Sequence, residues 1–138
     1  MTGWQAVVQA MKAEGITHLY GMPSSAGDLY DALYDEPSIR PIQVRHEAAG
    51  GFIAMAHALA SGKPAACFTS AGPGLANLVP AVLEAHAACA PVLFFCPGTA
   101  GTKAGKGAFQ ETDQMALMKP ITKWAFRISA PEQVPWAM

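Results

Sequence analysis

The segment AACFTSAGPG, from Ala65 to Gly74, runs from apolar residues through a Thr-Ser pair into a glycine-proline turn. The stretch from Ala65 to Ser70 predicts a short strand that is apolar until Thr69. Gly72-Pro73-Gly74 predicts a tight turn, after which a helix reaches about Ala88. A strand, a glycine turn and a helix in this order are typical of β-α-β units, in which the strands are parallel.

The same alternation extends in both directions from this segment. Further strands are expected at residues 16–20, 41–45, 91–96 and 123–128. Further helices are expected from Thr2 to Gly15, from Ser24 or Ser25 to about Tyr34, from about His46 to Ala60 and from about Gln110 to Met118. The sequence therefore predicts a three-layer α/β fold with a parallel sheet of about five or six strands and helices on both faces.

Unusual residues follow several predicted strands, at the edge of the sheet where ligands of such folds bind. Glu47 is the most informative of them, because the next thirteen residues, AAGGFIAMAHALA, carry no formal charge. Burial disfavours the charged form of a carboxyl group, and proteins that accept this cost often use the group for proton chemistry. The alternative is a charge at a helix start, balanced by Arg45 and the helix dipole.

Composition limits the class of protein. The chain of 138 residues is long enough for one domain, and a hydrophobic fraction of 51% against a charged fraction of 14% favours a surface that is partly covered by another protein. The net charge of −1 gives no electrostatic basis for binding nucleic acid or an anionic membrane. No basic and apolar leader is visible and the cysteines form no CxxC pair, so we expect a cytoplasmic location.

Two other segments lack the spacing of known motifs. His46-Glu47 does not continue into HExxH, because the second histidine position is Gly50, and no metal site is expected on this chain. The loop from Gly101 to Gly107 departs from the phosphate-binding P-loop pattern, so we expect it to be mobile and solvated. Beyond it, Glu111 and Asp113 suit the dipole of the next helix.

Taken together, these segments resemble the pyrimidine-binding domain of thiamine diphosphate-dependent enzymes of the acetolactate synthase type. The resemblance covers essentially the whole chain, and several ordered motifs with matching spacing make it specific. The segments that carry it are Glu14–Pro23, Arg45–Ala49, Thr69–Asn77, Ala90–Leu93, Gly107–Gln114 and Pro120–Trp124. It implies the flavodoxin-like thiamine diphosphate-binding fold.

The resemblance also implies roles for individual residues. Glu47 resembles the catalytic glutamate, whose carboxyl hydrogen-bonds N1′ of the cofactor's aminopyrimidine and so promotes loss of the C2 proton of the thiazolium. Gln110 resembles the catalytic glutamine that reaches the reacting end of the cofactor and the substrate. The positions that resemble those around the pyrimidine ring are Pro23, Gly72, Pro73, Gly74 and Asn77.

Some positions depart from the family pattern where substrate preference is set. Ser24 and Ser25 replace the glycine pair or Gly-Ser that often follows the first proline, and Ala48 replaces the glutamine after the catalytic glutamate. We therefore expect Ser24 and Ser25, together with Gln110, to influence the choice of substrate.

The family binds the diphosphate and its Mg²⁺ through a second domain with a Gly-Asp-Gly segment, and this sequence contains no Gly-Asp-Gly. The resemblance implies that residues 1–138 are a single pyrimidine-binding domain, which meets only the pyrimidine end of thiamine diphosphate and is inactive alone. The expected partners are a second copy of the chain, a diphosphate-binding domain or subunit, and a small-molecule substrate. Small residues at 47–58 and 74–85 predict self-association through these two helices.

The function implied by the resemblance is one half of an enzyme that decarboxylates or joins 2-keto acids. Two alternatives stay open: an acyloin or 2-hydroxyacyl-CoA lyase of the same family, and a non-catalytic binding module on the same fold. A flavodoxin-like nucleotide-binding protein is disfavoured, because the chain has no phosphate-binding motif.

Overall fold

The structure, a computed structural model, describes residues 1–23, 27–99 and 101–138. Ser24 and Ser25, for which the sequence predicts contact with substrate, lie outside the described residues. The strands are β1 (His18–Gly21), β2 (Arg40–Gln43), β3 (Ala65–Phe68) and β4 (Val92–Phe95). The helices are α1 (Gly3–Ala13), α2 (Gly27–Tyr34), α3 (Glu47–Ser61), α4 (Pro73–Ala87), α5 (Gln114–Met118) and α6 (Val134–Ala137), with short 3-10 turns at Lys119–Ile121 and Pro131–Gln133.

The four strands form one parallel sheet in the order β2-β1-β3-β4. Tyr20 of β1 pairs with Ile42 of β2 on one side and with Cys67 of β3 on the other, and Cys67 pairs in turn with Phe94 of β4. The predicted α/β fold with a parallel sheet is therefore confirmed. The predicted number of about five or six strands is too high for the part of the chain that the structure describes.

The strand predicted at residues 123–128 is absent from the described residues, where this stretch is irregular. Its alternating aromatic side chains pack against one another instead. The rings of Trp124 and Phe126 stack with their centroids 6.1 Å apart, and Trp136 packs edge-on against Phe126 at 4.8 Å. The alternation that predicts a strand thus belongs to a small aromatic cluster near the last helix.

Two hydrophobic clusters cover the two faces of the sheet. Helices α1 and α2 pack on one face, with Met11 and Leu29 among the buried residues. Helices α3 and α4 pack on the other face, with Ala54 and Leu78 among the buried residues. Successive side chains of β3 point to opposite faces, so that Phe68 belongs to the first cluster and the preceding cysteine to the second. This arrangement produces the predicted three layers.

Helices α3 and α4 approach each other closely because their contacting residues are small. A Cβ atom on Gly51 would lie 2.5 Å from Cβ of Ala81 and 3.0 Å from Cδ2 of Leu78. No larger side chain fits between the helices at this point without displacing one of them. The close approach brings the first turns of both helices to the same edge of the sheet.

Helix α5 begins at Gln114 rather than at the predicted residue 110. Asp113 caps it by accepting a hydrogen bond from the backbone N–H of Ala116 at 3.0 Å. Glu111 therefore lies outside the helix, and its predicted role at the helix dipole is wrong. The prediction for Asp113 is confirmed, because a capping carboxylate satisfies a free N–H at the helix start.

None of the helices within the described ranges combines the length and the apolar character that a bilayer crossing requires. Across the same residues, no three His, Cys, Asp or Glu side chains are grouped so that they could hold a metal ion.

Candidate functional site

Glu47 is the first residue of α3, at the edge of the sheet where the strands have their carboxyl ends. His46 caps this helix, and its Nδ1 accepts a hydrogen bond from the backbone N–H of Ala48 at 3.2 Å. The Glu47 residue is only 9% exposed. The sequence prediction of a shielded carboxyl group at this helix start is therefore confirmed in its geometry.

The Glu47 carboxyl is bound by an amide rather than by a cation. Nδ2 of Asn77 donates to Oε2 of Glu47 at 3.1 Å, across the junction between α3 and α4. Among the described residues Glu47 takes part in no ion pair, and Arg45, a possible partner from sequence, is exposed. Two residues that the sequence assigns to one site, Glu47 and Asn77, are thus in direct contact.

The turn before α4 packs closely against this carboxyl group. Gly72 has a positive φ of 57°, Pro73 opens the helix, and Gly74 follows at its first turn. A Cβ on Gly74 would lie 3.2 Å from Oε1 of Glu47 and 2.7 Å from Oγ1 of Thr69, and it would also collide with Oγ of Ser70. Glycine is therefore required at position 74 for the carboxyl and the two hydroxyl groups to share this space.

Thr69 is a site residue that the sequence reasoning did not identify. The residue is fully buried, and its Oγ1 has no hydrogen-bond partner among the described residues. A buried hydroxyl without a partner is unfavourable, and it often marks a place that a water or a ligand completes. The signal in the sequence is that Thr69 is the first polar residue after the apolar run of β3.

Gln110 also reaches the turn, through its backbone. Its φ of 59° lies in the left-handed region, which is uncommon for a residue other than glycine. A Cβ on Gly72 would lie 2.5 Å from the Gln110 carbonyl oxygen, so the two backbones pack directly against each other. The structure therefore brings Gln110 next to Gly72, and it places Pro23 exposed at the same edge, two residues beyond β1.

Two thiols near the site are held in their protonated form. Burial raises the pKa of Cys67 to about 12, and the charge of Glu47 acts in the same direction. Burial also raises the pKa of Cys96 to about 12, although a hydrogen bond from Gln114 opposes the shift. Because the thiolate is the reactive form, neither cysteine provides a nucleophile at neutral pH.

The arrangement therefore offers one kind of chemistry. Oε2 of Glu47 is fixed by Asn77, while Oε1 lies beside Gly74 and accepts no hydrogen bond from the described residues. A shielded carboxyl group with one oxygen left without a donor can exchange a proton with a ligand group that reaches it. Gln110, a partly buried residue, lies close by, with its backbone and Cβ against Gly72.

Comparison with known proteins assigns this chain to a family. Residues 1–117 match the family model described as "Thiamine pyrophosphate enzyme, N-terminal TPP binding domain". The chain is 39% identical over 136 residues to a probable acetolactate synthase large subunit of Methanocaldococcus jannaschii, with 98% of this chain and 23% of that protein covered. It is 36% identical over 138 residues to the acetolactate synthase isozyme 1 large subunit of Escherichia coli, with 99% and 25% covered.

An acetolactate synthase of Mycobacterium avium is 36% identical over 129 residues, which cover 93% of this chain and 21% of that protein. The chain thus spans about a quarter of the length of these curated relatives. The family match extends from α1 through the site residues to Gln110 and into α5. This chain belongs to the family of N-terminal TPP-binding domains of thiamine pyrophosphate enzymes.

Proposed function

We propose that residues 1–138 form a single pyrimidine-binding domain of a thiamine diphosphate-dependent enzyme that decarboxylates or joins 2-keto acids. The observation that carries the proposal is the buried Glu47 carboxyl at the start of α3, with one oxygen bound by Asn77 and the other beside Gly74 without a hydrogen-bond donor among the described residues. The acetolactate synthases among the relatives support the class of substrate.

The residues around this carboxyl group fit the pyrimidine end of the cofactor. Oε1 of Glu47 and the unpartnered Oγ1 of Thr69 both lie beside Gly74, which places no side chain between them. Polar groups that lack a hydrogen-bond partner in a buried site suit a ring that carries nitrogen donors and acceptors. Pro23, Gly72, Pro73, Gly74 and Asn77 would surround the ring, and Glu47 would contact its nitrogen.

When it is bound, thiamine diphosphate supplies the carbanion chemistry that no protein side chain provides. Glu47 would hold a proton at its carboxyl oxygens and exchange it with the ring nitrogen. Asn77 would orient the carboxyl group, because its amide fixes Oε2. Gln110 would donate a hydrogen bond to the substrate, and Ser24 and Ser25 would influence which substrate is accepted.

The rest of the site is proposed to come from another protein surface. Helices α3 and α4 expose large apolar side chains, including Phe52, Ile53 and Leu83. Exposed apolar residues on adjacent helices favour association. We infer that a second copy of the chain and a diphosphate-binding domain or subunit cover this face, that the Mg²⁺ belongs to that domain, and that the assembly works in the cytoplasm. The domain alone would then be inactive.

The test is the substitution Glu47→Gln in the protein that contains this chain together with a diphosphate-binding domain. Glutamine keeps the size of the side chain but lacks the exchangeable acid. Exchange of the cofactor's C2 proton, followed by NMR, should slow by roughly 10²–10⁴-fold, the usual contribution of an acid–base group. Cofactor affinity, measured by calorimetry, should change much less.

Glu36→Gln is the matched control, because Glu36 is buried to a similar degree but lies away from the sheet edge that carries the site. It should leave the exchange rate within about twofold of the parent. Exchange in the Glu47→Gln protein that equals the parent would mean that Glu47 is a structural charge at a helix start, and it would favour a non-catalytic module. Release of carbon dioxide from a 2-keto acid separates a decarboxylase from a lyase acting on acyloins.

A further inference from the structure

The loop between β4 and α5 delivers Gln110 to the site, and the conformation of this residue needs an explanation. A left-handed backbone is unfavourable for glutamine and persists only where surrounding contacts hold it in place. One side of Gln110 is fixed by Gly72, whose missing Cβ lets the Gln110 carbonyl oxygen pack against the turn. The other side is the next residue in the chain, Glu111.

The Glu111 side chain folds back over the loop. Its Oε1 accepts a hydrogen bond from the backbone N–H of Gly105 at 2.6 Å, and its Oε2 accepts one from that of Ala108 at 3.1 Å. The backbone N–H of Glu111 donates to the Ala108 carbonyl oxygen at 2.9 Å. Gly105 and Gly107 supply the curvature, with φ values of 75° and 69°. Glu111 thus closes the loop with three hydrogen bonds, two that its carboxylate accepts and one that its backbone N–H donates.

This residue is charged at neutral pH. The hydrogen bond from the Gly105 N–H, and to a lesser extent that from the Ala108 N–H, hold the pKa of the Glu111 carboxyl below its ordinary value. The charge of Arg127 contributes to the same shift. Hydrogen bonds to a carboxylate are stronger than those to a neutral group, so two of them are well suited to hold a loop. The loop, which the sequence predicts to be mobile and solvated, is largely exposed but is tied together by this side chain.

We propose that Glu111 is a positioning residue, whose carboxylate latches the Gly105–Ala108 backbone and so holds Gln110 in its left-handed conformation against Gly72. The inference rests on the proposed function, because it assumes that the Gln110 side chain serves the reaction. The Glu111 carboxylate bonds Gly105 and Ala108 and neither Gly74 nor Glu47, so it acts through the backbone of its neighbour.

The first test measures the latch without any cofactor. Amide hydrogen exchange of Gly105 and Ala108 is followed by NMR in the intact protein and in the variant Glu111→Gln. The neutral amide turns one accepting oxygen into a donor group, so exchange at both positions should accelerate at least about tenfold. Glu111→Ala removes both acceptors and gives the same expectation if the glutamine variant folds poorly. Unchanged exchange would overturn the proposal.

The matched control is Asp113→Asn, two residues further along the chain. Asp113 also accepts a backbone hydrogen bond, but from Ala116 in α5. Its loss should affect exchange in α5 and leave Gly105 and Ala108 at the parent rate. Equal acceleration of the loop in both variants would show general loosening of the segment and would also overturn the proposal.

The second test asks whether the latch serves Gln110. In the cofactor-loaded enzyme, Glu111→Gln should lower kcat by roughly ten- to hundredfold, the scale of a misplaced reacting group. The dissociation constant of the cofactor should stay within about twofold, because the pyrimidine contacts are unchanged. A faster-exchanging loop with an unchanged kcat would mean that Glu111 holds the loop without positioning Gln110. Hydrogen exchange in the loop does not depend on Glu47, so failure of the proposed function would be seen separately.

Discussion

Two buried carboxyl groups in this molecule, at Glu36 and Glu47, differ in how they are compensated. Their exposures are 8% and 9%. Oε2 of Glu36 accepts from Nζ of Lys12 at 2.8 Å, and its Oε1 accepts from the hydroxyl of Ser38 at 2.7 Å. Glu47 has the amide of Asn77 on one oxygen, and no donor among the described residues reaches the other, which lies beside Gly74.

The difference separates a carboxylate held by a cation and a hydroxyl group from one held by a single amide. Hydrogen bonds from Lys12 and Ser38 lower the pKa of Glu36 to about 2, so this group stays charged under ordinary conditions. A shielded carboxyl without a cation is unfavourable, and such groups concentrate at functional sites. The comparison predicts that perturbing the surroundings of Glu47 harms function, whereas perturbing those of Glu36 changes stability with pH.

The largest effect is expected from Gly74→Ala, which adds a methyl group between the Glu47 carboxyl and the hydroxyl groups of Thr69 and Ser70. The new Cβ would lie 2.7 Å from Oγ1 of Thr69 and would collide with Oγ of Ser70. Overpacking of this kind lowers the free energy of unfolding by about 1–3 kcal/mol. Urea denaturation checks the stability, and calorimetry should show that cofactor binding is weakened as well. In the control Gly3→Ala, where the nearest atom is Cγ of Pro131 at 3.8 Å, stability should be unchanged or slightly higher.

A smaller effect is expected from Lys12→Met, which would leave Glu36 as a buried carboxyl with uncharged partners only. The pKa of Glu36, about 2 in the parent protein, should then rise. In the parent, the folded pKa is below the ordinary value of 4.5, so the stabilisation is present above pH 4.5 and is lost as the pH falls toward 2. The variant should lose this stabilisation at neutral pH and show a shallower decline in acid.

NMR titration of the Glu36 carboxyl, together with unfolding curves at several pH values, measures both effects of Lys12→Met. Ser38→Ala serves as the control, since it removes a hydrogen bond and keeps the cation. It should shift the pKa of Glu36 in the same direction but by less. If Lys12→Met leaves that pKa near 2, the lysine is not what compensates Glu36, and the comparison fails on this side.

The smallest effect on stability is expected from Glu47→Gln. Nδ2 of Asn77 can still donate to the glutamine carbonyl oxygen, so no buried donor loses its partner. The free energy of unfolding at neutral pH should change by less than about 1 kcal/mol. Urea denaturation of the variant and the parent gives the value. A loss above about 2 kcal/mol would place Glu47 with Glu36 as a structural charge.

The sequence predicts the order of strands and helices well because each signal is local. The apolar run Ala65–Phe68 follows Pro64 and ends at Thr69, and Gly62 ends α3 in a left-handed conformation. The prediction of a strand at 123–128 is wrong because periodicity alone does not distinguish pairing with a sheet from packing among neighbouring aromatic rings. The predicted start of α5 is too early because several residues before it could cap the helix, and the structure identifies Asp113 as the cap.

The candidate site is predictable where a residue contrasts with its neighbours in sequence. Glu47 stands before a long uncharged helix, and Gly72-Pro73-Gly74 interrupts a strand-to-helix passage. Thr69 contrasts with the apolar run before it and Glu111 lies near a helix start, but neither signal reveals what these side chains contact. Their importance depends on which backbone comes near them, Gly74 in one case and Gly105 in the other, and these approaches are set by tertiary packing.

The position of β1 inside the sheet also has a consequence for how the chain assembles. One edge of β1 pairs with β2, but the other pairs with β3, as in Leu19 with Ala66, and the whole of α3 lies between β2 and β3. This edge of β1 therefore stays open until β3 returns to the sheet from beyond α3. Non-local closure of this kind slows refolding, and an open edge invites pairing with another chain. A fragment that ends before β3 would expose that edge permanently, and aggregation rather than a smaller stable domain is its expected fate.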